Sequence, residues 1–135
     1  MKLSLNELRK NFDTESPATH SEIARMEKYF GYLFPADYKE FLSLTNGLEG
    51  CINDEYLVLW GTHELIELNI AYQVKDFVKD VIIFGSDGAE DAFAFDVANP
   101  SPFIIKLPFI GMGHIANERL AGTFEEFLLP RVQLR

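Results

Sequence analysis

Apolar residues along this chain follow first a helical and then an alternating spacing, which predicts helices before strands. Ile23, Met26 and Phe30 recur at helical spacing with Glu22, Arg25 and Lys28 between them, the pattern of one buried helix face. Thr19 or Ser21 can accept from the free amides of a first turn, and Glu22 suits the positive end of the helix dipole. Gly31 suits the left-handed residue that ends such a helix. A second helix is predicted from Pro35, whose missing N–H costs nothing in a first turn. Tyr38, Phe41, Leu42 and Thr45 form its inner face, and Asn46-Gly47 stops it. Upstream, Leu3, Leu5, Leu8 and Phe12 fit either one helical face or a short arm packed on the domain.

Beyond a loop through Gly50 and Asp54, the run Tyr56-Leu57-Val58-Leu59-Trp60 predicts a strand ended by Gly61. Thr62 can cap a third helix with Leu65, Ile66 and Ile70 inward. Val81-Ile82-Ile83-Phe84 is a short continuous apolar run bounded by Gly85, as a central strand would be. A turn at Ser86 to Glu90 leads to Asp91–Asp96, where Phe93 and Phe95 alternate with Ala92, Ala94 and Asp96 in a half-buried strand. After a turn at Asn99-Pro100-Ser101-Pro102, Phe103 to Leu107 runs back and Pro108 ends it. A loop at Gly111-Met112-Gly113 follows. Thr123 then caps a last helix with Phe124, Phe127 and Leu128 inward and Pro130 closing it. This order predicts an α+β fold: a single domain with an antiparallel sheet and helices packed mainly on one face.

Composition supports a packed core and changes the picture mainly through charge. The 135 residues are 47% hydrophobic and include twelve Phe, which excludes a disordered chain. A domain of this size buries roughly two thirds of its unfolded surface, enough to fold without a disulfide or metal. Cys51 is the only cysteine, so no internal disulfide forms and a reducing compartment fits. The early charges Lys2, Glu7, Arg9 and Lys10 interrupt any signal-peptide core. No apolar run reaches the roughly eighteen residues of a membrane span. The expectation is a cytoplasmic protein with no membrane contact, a monomer or weak homodimer.

The net charge of −9 is unevenly spread. Residues 1–50 are net −2, residues 51–100 carry ten carboxylates against two lysines, and residues 101–135 are net +1. Phosphate backbones repel such a middle third, so nucleic acid is not an expected partner. A basic protein would be steered to it, although acidity can also serve solubility alone.

Candidate chemistry fails mostly on spacing. His63-Glu64-Leu65-Ile66-Glu67 approaches a zinc-protease helix, but the second histidine that would share zinc is replaced by Glu67. His20 and His114 are distant in sequence, so no metal site is expected. Gly111-Met112-Gly113-His114-Ile115-Ala116 has the letters of a dinucleotide-binding loop, but only nineteen residues follow it, too few for the helix and acidic strand it needs. Gly85-Ser86-Asp87-Gly88 is not a nucleophile elbow, and the acids of Asp87 to Asp91 lack calcium-loop spacing. Cys51 has no neighbouring His or Lys to stabilise a thiolate. No cofactor and no enzymatic activity are expected. Trp60, at a strand end bordered by acids, is either an interface anchor or, more commonly, a core residue.

Taken in order, these motifs resemble the SUKH superfamily, which groups fungal cell-wall synthesis regulators of the Smi/Knr type with many bacterial proteins. The resemblance runs from Ser21-Glu22-Ile23, Glu27 and Gly31 through Leu33-Phe34-Pro35-Ala36-Asp37-Tyr38 and Phe41-Leu42 to Asn46-Gly47. Leu57 to Gly61, Glu64-Leu65, Phe84-Gly85-Ser86-Asp87-Gly88 with Asp91 to Asp96, and Ala121 with Thr123 to Leu128 continue it, over about residues 20–129. Leu48-Glu49-Gly50 stands where the family often has a glycine directly after Asn-Gly, and Ala89 replaces another common glycine. The resemblance implies a non-enzymatic protein-binding role. Bacterial members are largely similar to immunity proteins that neutralise toxins, many of them nucleases with basic surfaces. The alternative it implies is a regulator or scaffold of envelope synthesis. On the toxin reading, Asp54, Glu55, Trp60, Glu64, Glu67, Asp87, Glu90 and Asp91 are the expected partner-facing residues.

Overall fold

The structure is a computed structural model that describes residues 1–114 and 117–133. Helix α1 (Leu5–Leu8) is one turn, and β1 (Phe12–Thr14) follows it. The first twenty residues are therefore both a helical turn and a packed arm, with Leu8 and Phe12 buried. Helix α2 (His20–Phe30) starts at Thr19, which accepts from the Glu22 amide while Glu22 accepts from the Thr19 amide, a reciprocal capping box. Ile23 and Met26 are its buried face, and Gly31 closes it in the left-handed conformation.

Helix α3 (Ala36–Leu44) begins after Pro35 and buries Tyr38, Phe41 and Leu42. Asp37 reaches across to accept from the Glu125 amide at 2.9 Å, joining α3 to the start of the last helix. Glu27 accepts from the Phe34 amide at 2.8 Å and pairs with Lys39 at 3.4 Å. The Phe34-to-Tyr38 step thus acts as a structural joint.

The sheet is one antiparallel meander in strand order β1 to β7. Its remaining strands are β2 (Leu48–Ile52), β3 (Glu55–Leu59), β4 (Val81–Ser86), β5 (Asp91–Asp96), β6 (Phe103–Pro108) and β7 (Glu118–Ala121). Three strands of the sheet escape the sequence pattern, β1, β2 and β7. The stretch through Gly50 and Asp54 reads as a loop in sequence, but Leu48–Ile52 forms β2. Gly50 pairs with Phe12, and a Cβ there would collide with the Asn11 carbonyl, so glycine is required by the approach of β1. Strand β7 has no β-branched residue, and its pairing with β6 supplies its structure.

Strand β5 was expected to be half-buried. In the fold Ala92 and Ala94 are buried as fully as Phe93 and Phe95, so both of its sides are covered. Helix α4 (Thr62–Ala71) also differs in detail. Gly61 is its cap and Thr62 its first residue, with the Thr62 amide donating to Asn46 Oδ1 at 2.8 Å. Its inward positions are Leu65 and Asn69, while Ile70 is 55% exposed. A polar residue holds the inner place because β3 pairs with β4 only at Val58 and Leu59. Beyond that ladder, Asn69 accepts from the Ile83 amide at 3.0 Å and donates to the Ile83 carbonyl at 2.8 Å, replacing a missing strand partner.

One-turn helix α5 (Val74–Phe77) leads into β4, and α6 (Phe124–Val132) closes the chain. Helix α6 carries Pro130 inside it rather than ending there, and continues to Val132. The core is aromatic. Tyr38, Phe84, Phe95 and Phe124 meet one another with ring centroids 4.6 to 6.2 Å apart, and Phe127 packs on Phe84 at 5.4 Å.

Candidate functional site

The meander decides which acids meet. Because neighbouring strands are antiparallel, the β2–β3 turn, the β4–β5 turn and the start of the β6–β7 loop all lie at the same end of the sheet. Contacts between the turns tie them together. Gly88, at φ +79°, leaves room for the Tyr56 ring, which a Cβ at that position would strike. The Phe109 amide donates to the Glu90 carbonyl at 3.0 Å.

Each turn has a local cause. Asn53 and Asp54 both adopt positive φ, as a two-residue hairpin turn between right-twisted strands requires. In the β4–β5 turn, Asp87 Oδ1 accepts from the amides of Ala89 and Asp91, at 2.9 and 3.2 Å. Ser86 Oγ accepts from the Gly88 amide at 3.1 Å. Ser86 therefore shapes a strand-turn-strand corner.

Of the expected partner-facing residues, Asp54, Glu55, Asp87, Glu90 and Asp91 come together at this end. Asp54, Glu55 and Glu90 are exposed, and Asp87 and Asp91 are half-buried. Glu64 and Glu67 lie on α4, which leaves the sheet from the opposite end of β3, and each has a local role there. Glu64 accepts from the Gly61 amide at 3.1 Å, and Glu67 pairs with His63 Nε2 at 2.9 Å. Trp60 is buried and stacks on Tyr72, so its ring is a core residue and presents no surface to a partner.

Sequence reasoning missed the rest of this end. An open cleft of about 500 Å³ lies behind the turns, lined by Glu55, Tyr56, Leu57, Asp87, Phe93 and Lys106, with Glu118, Leu120 and Arg131. Lys106 Nζ lies 3.8 Å from Asp91 Oδ2 and 3.9 Å from Glu118 Oε2. Arg131 lies over the Phe127 ring at 4.3 Å and the Phe93 ring at 5.5 Å, and donates to the Phe127 carbonyl at 2.8 Å. Burial lowers its guanidinium pKa, and the Glu55 carboxylate opposes that shift. The Tyr56 phenol donates to Glu49, which raises its pKa above the usual tyrosine value. Two large apolar side chains flank the acids: Tyr56 is 43% exposed and Ile110 91%. Glu49 and Glu118 had no sequence signal, because β2 and β7, which place them, were not legible, while Tyr56, Phe93 and Lys106 lie on legible strands whose meeting at one cleft was not.

This end has the chemistry of a binding surface: carboxylates with exposed apolar side chains between them. Among the described residues no three His, Cys, Asp or Glu side chains come together as metal ligands do. The Gly111-Met112-Gly113 loop buries Met112 and packs Gly113 on the Phe77 carbonyl, while Ile115 and Ala116 of that motif lie outside the described residues. Cys51 is exposed and free. No helix is long and apolar enough to cross a membrane.

Comparison with known proteins gives two findings. The model of the SMI1 / KNR4 family (SUKH-1) matches residues 17–129. The chain is also 39% identical over 74 residues to the uncharacterized protein YnaB of Bacillus subtilis (strain 168). That match covers 55% of this chain and 47% of YnaB, so the chain spans about half the length of the curated relative it matches.

Proposed function

This chain belongs to the SMI1 / KNR4 family (SUKH-1), and on that premise we propose that it is a non-enzymatic immunity protein. It neutralises a toxin by covering a basic surface with the acidic end of its sheet. The observation that carries this reading is the convergence of Asp54, Glu55, Asp87, Glu90 and Asp91 at one end, with exposed Tyr56 and Ile110 among them. Carboxylates steer a basic partner into encounter, and the apolar side chains give the complex area to bury. A nuclease toxin suits this pairing, because a surface that grips phosphate is basic. The partner is a protein, and neither nucleic acid nor a cofactor enters the reading.

The test has two arms. Co-purification of the tagged chain from its native host should return one stoichiometric basic protein, and the gene beside this one should encode it. Expressed alone that protein should arrest growth, and co-expression of this chain should restore it. Glu90→Lys should weaken the complex and steepen its loss with added salt. A neighbouring gene with no toxic product, together with an envelope defect on deletion of this gene, would replace the reading with an envelope-regulating role.

A further inference from the structure

We infer that the cleft behind the acidic turns is a pocket for an arginine side chain of the protein partner. This rests on the reading of that end as the binding surface and names what enters it.

The cleft is shaped for a side chain that is apolar along its length and cationic at its tip. Leu57, Phe93 and Leu120 supply apolar wall against which a methylene stem packs. Glu55, Asp87 and Glu118 come from three separate elements, β3, the β4–β5 turn and β7, so they surround the opening. The carboxylates already hold a cation of this chain. Lys106 Nζ sits between Asp91 and Glu118, but at 3.8 and 3.9 Å, distances longer than hydrogen bonds, so both carboxylates keep acceptor capacity. The lining carries three carboxylates against the two cations Lys106 and Arg131, and Asp91 adds a fourth behind Lys106. The balance is negative with the internal cations in place.

Arginine fits better than lysine for a geometric reason. Its planar fork of donors reaches carboxylates on different sides at once, whereas an ammonium acts as a point charge. Arg131 shows that a guanidinium is at home on these walls, since it lies over the Phe127 and Phe93 rings. Lys106 and Arg131 oppose a further cation. Lys106 is the one held only by long ion pairs, and it is the natural group to give way.

The experiment titrates the full chain at low salt with N-acetyl-arginine methylamide, and separately with its neutral citrulline counterpart, following backbone amide resonances. Saturable shifts at Leu57, Phe93 and Leu120 with arginine, absent with citrulline, are expected. Glu118→Gln should weaken this binding by roughly threefold, and Lys106→Met should tighten it by a similar factor. Glu64→Gln, an equal charge change on α4, should leave it unchanged. Equal response to citrulline, shifts spread equally over α4, or no saturable shift would each overturn the pocket. The two readings fail separately. A host partner lost on Glu90→Lys but bound normally by Glu118→Gln and Lys106→Met removes the pocket and leaves the acidic surface. Arginine saturation with no toxin bound removes the toxin reading and leaves the pocket.

Discussion

The aromatic cluster around Tyr38 and the charged turns around Gly88 are both built on β4 and β5, less than a strand's length apart in sequence. In the cluster, Phe84 meets Tyr38, Phe95, Phe124 and Phe127 and no water reaches any of the rings. At the turns, the carboxylates are exposed or half-buried, with Asp87 accepting from backbone amides and Asp91 in a long ion pair with Lys106. Stability is concentrated in the first region, where buried area and ring geometry add together. On the proposed reading, recognition is concentrated in the second, where exposed charges contribute little to folding but act over several ångströms on a partner. The lesson is that the same two strands serve both, so a mutation's distance along the chain says little about which property it alters.

The sharpest way to break this division is Phe84→Ala. It should cost about 3–5 kcal/mol in urea unfolding, because the surrounding rings cannot close the cavity. A loss below about 1 kcal/mol would show that the cluster is not where stability resides. Next in size is Asn69→Ala, which leaves the amide and carbonyl of Ile83 without their partner and should cost about 2–3 kcal/mol by the same measurement.

Tyr38→Phe should move stability the other way. The Tyr38 hydroxyl is buried and has no hydrogen-bond partner among the described residues, so its removal should stabilise by about 1 kcal/mol at neutral pH. Burial also pushes the Tyr38 phenol far above its usual range. The folded chain keeps that proton while the unfolded chain releases it near pH 10, so this contribution is whole below about pH 10 and falls as pH rises beyond it. Tyr38→Phe should flatten that alkaline decline in a series of unfolding curves. The smallest stability effect is expected of Glu90→Lys, within about 0.5 kcal/mol, beside its marked loss of partner binding. A large destabilisation there would erase the contrast between the two regions.

Much of this fold was legible because its helices announce themselves locally. Thr19 with Glu22, and Thr123, mark helix starts through hydrogen bonds made within a few residues, and Pro35 marks one by its fixed φ and missing N–H. The strands β3 to β6 were legible from apolar runs. The edge strands β1, β2 and β7 were not, because short strands with polar or glycine positions take their structure from a neighbour. The Ile70 and Pro130 expectations failed for a related reason. Helical spacing shows that a face exists, but the packing of α4 on Ile83 selects Asn69 as the inward residue, and α6 continues past its proline. The acids of the candidate site were visible one by one. Their separation into a turn cluster and an α4 group was not.

What the sequence determined by itself was the α+β class, the aromatic core, the concentration of charge between residues 51 and 100, and the family motifs that join α2, α3 and α6. Those are properties of composition and short-range spacing. Only the tertiary structure decided that Trp60 is inside, that Glu64 and Glu67 serve α4, and that Asp54, Glu55, Asp87, Glu90 and Asp91 share one end with a cleft lined by Lys106, Glu118 and Arg131. The physical reason is the antiparallel meander. Strand direction alternates, so every second turn returns to the same end, and residues as far apart in sequence as Glu55 and Glu118 line one cleft only once the register is set.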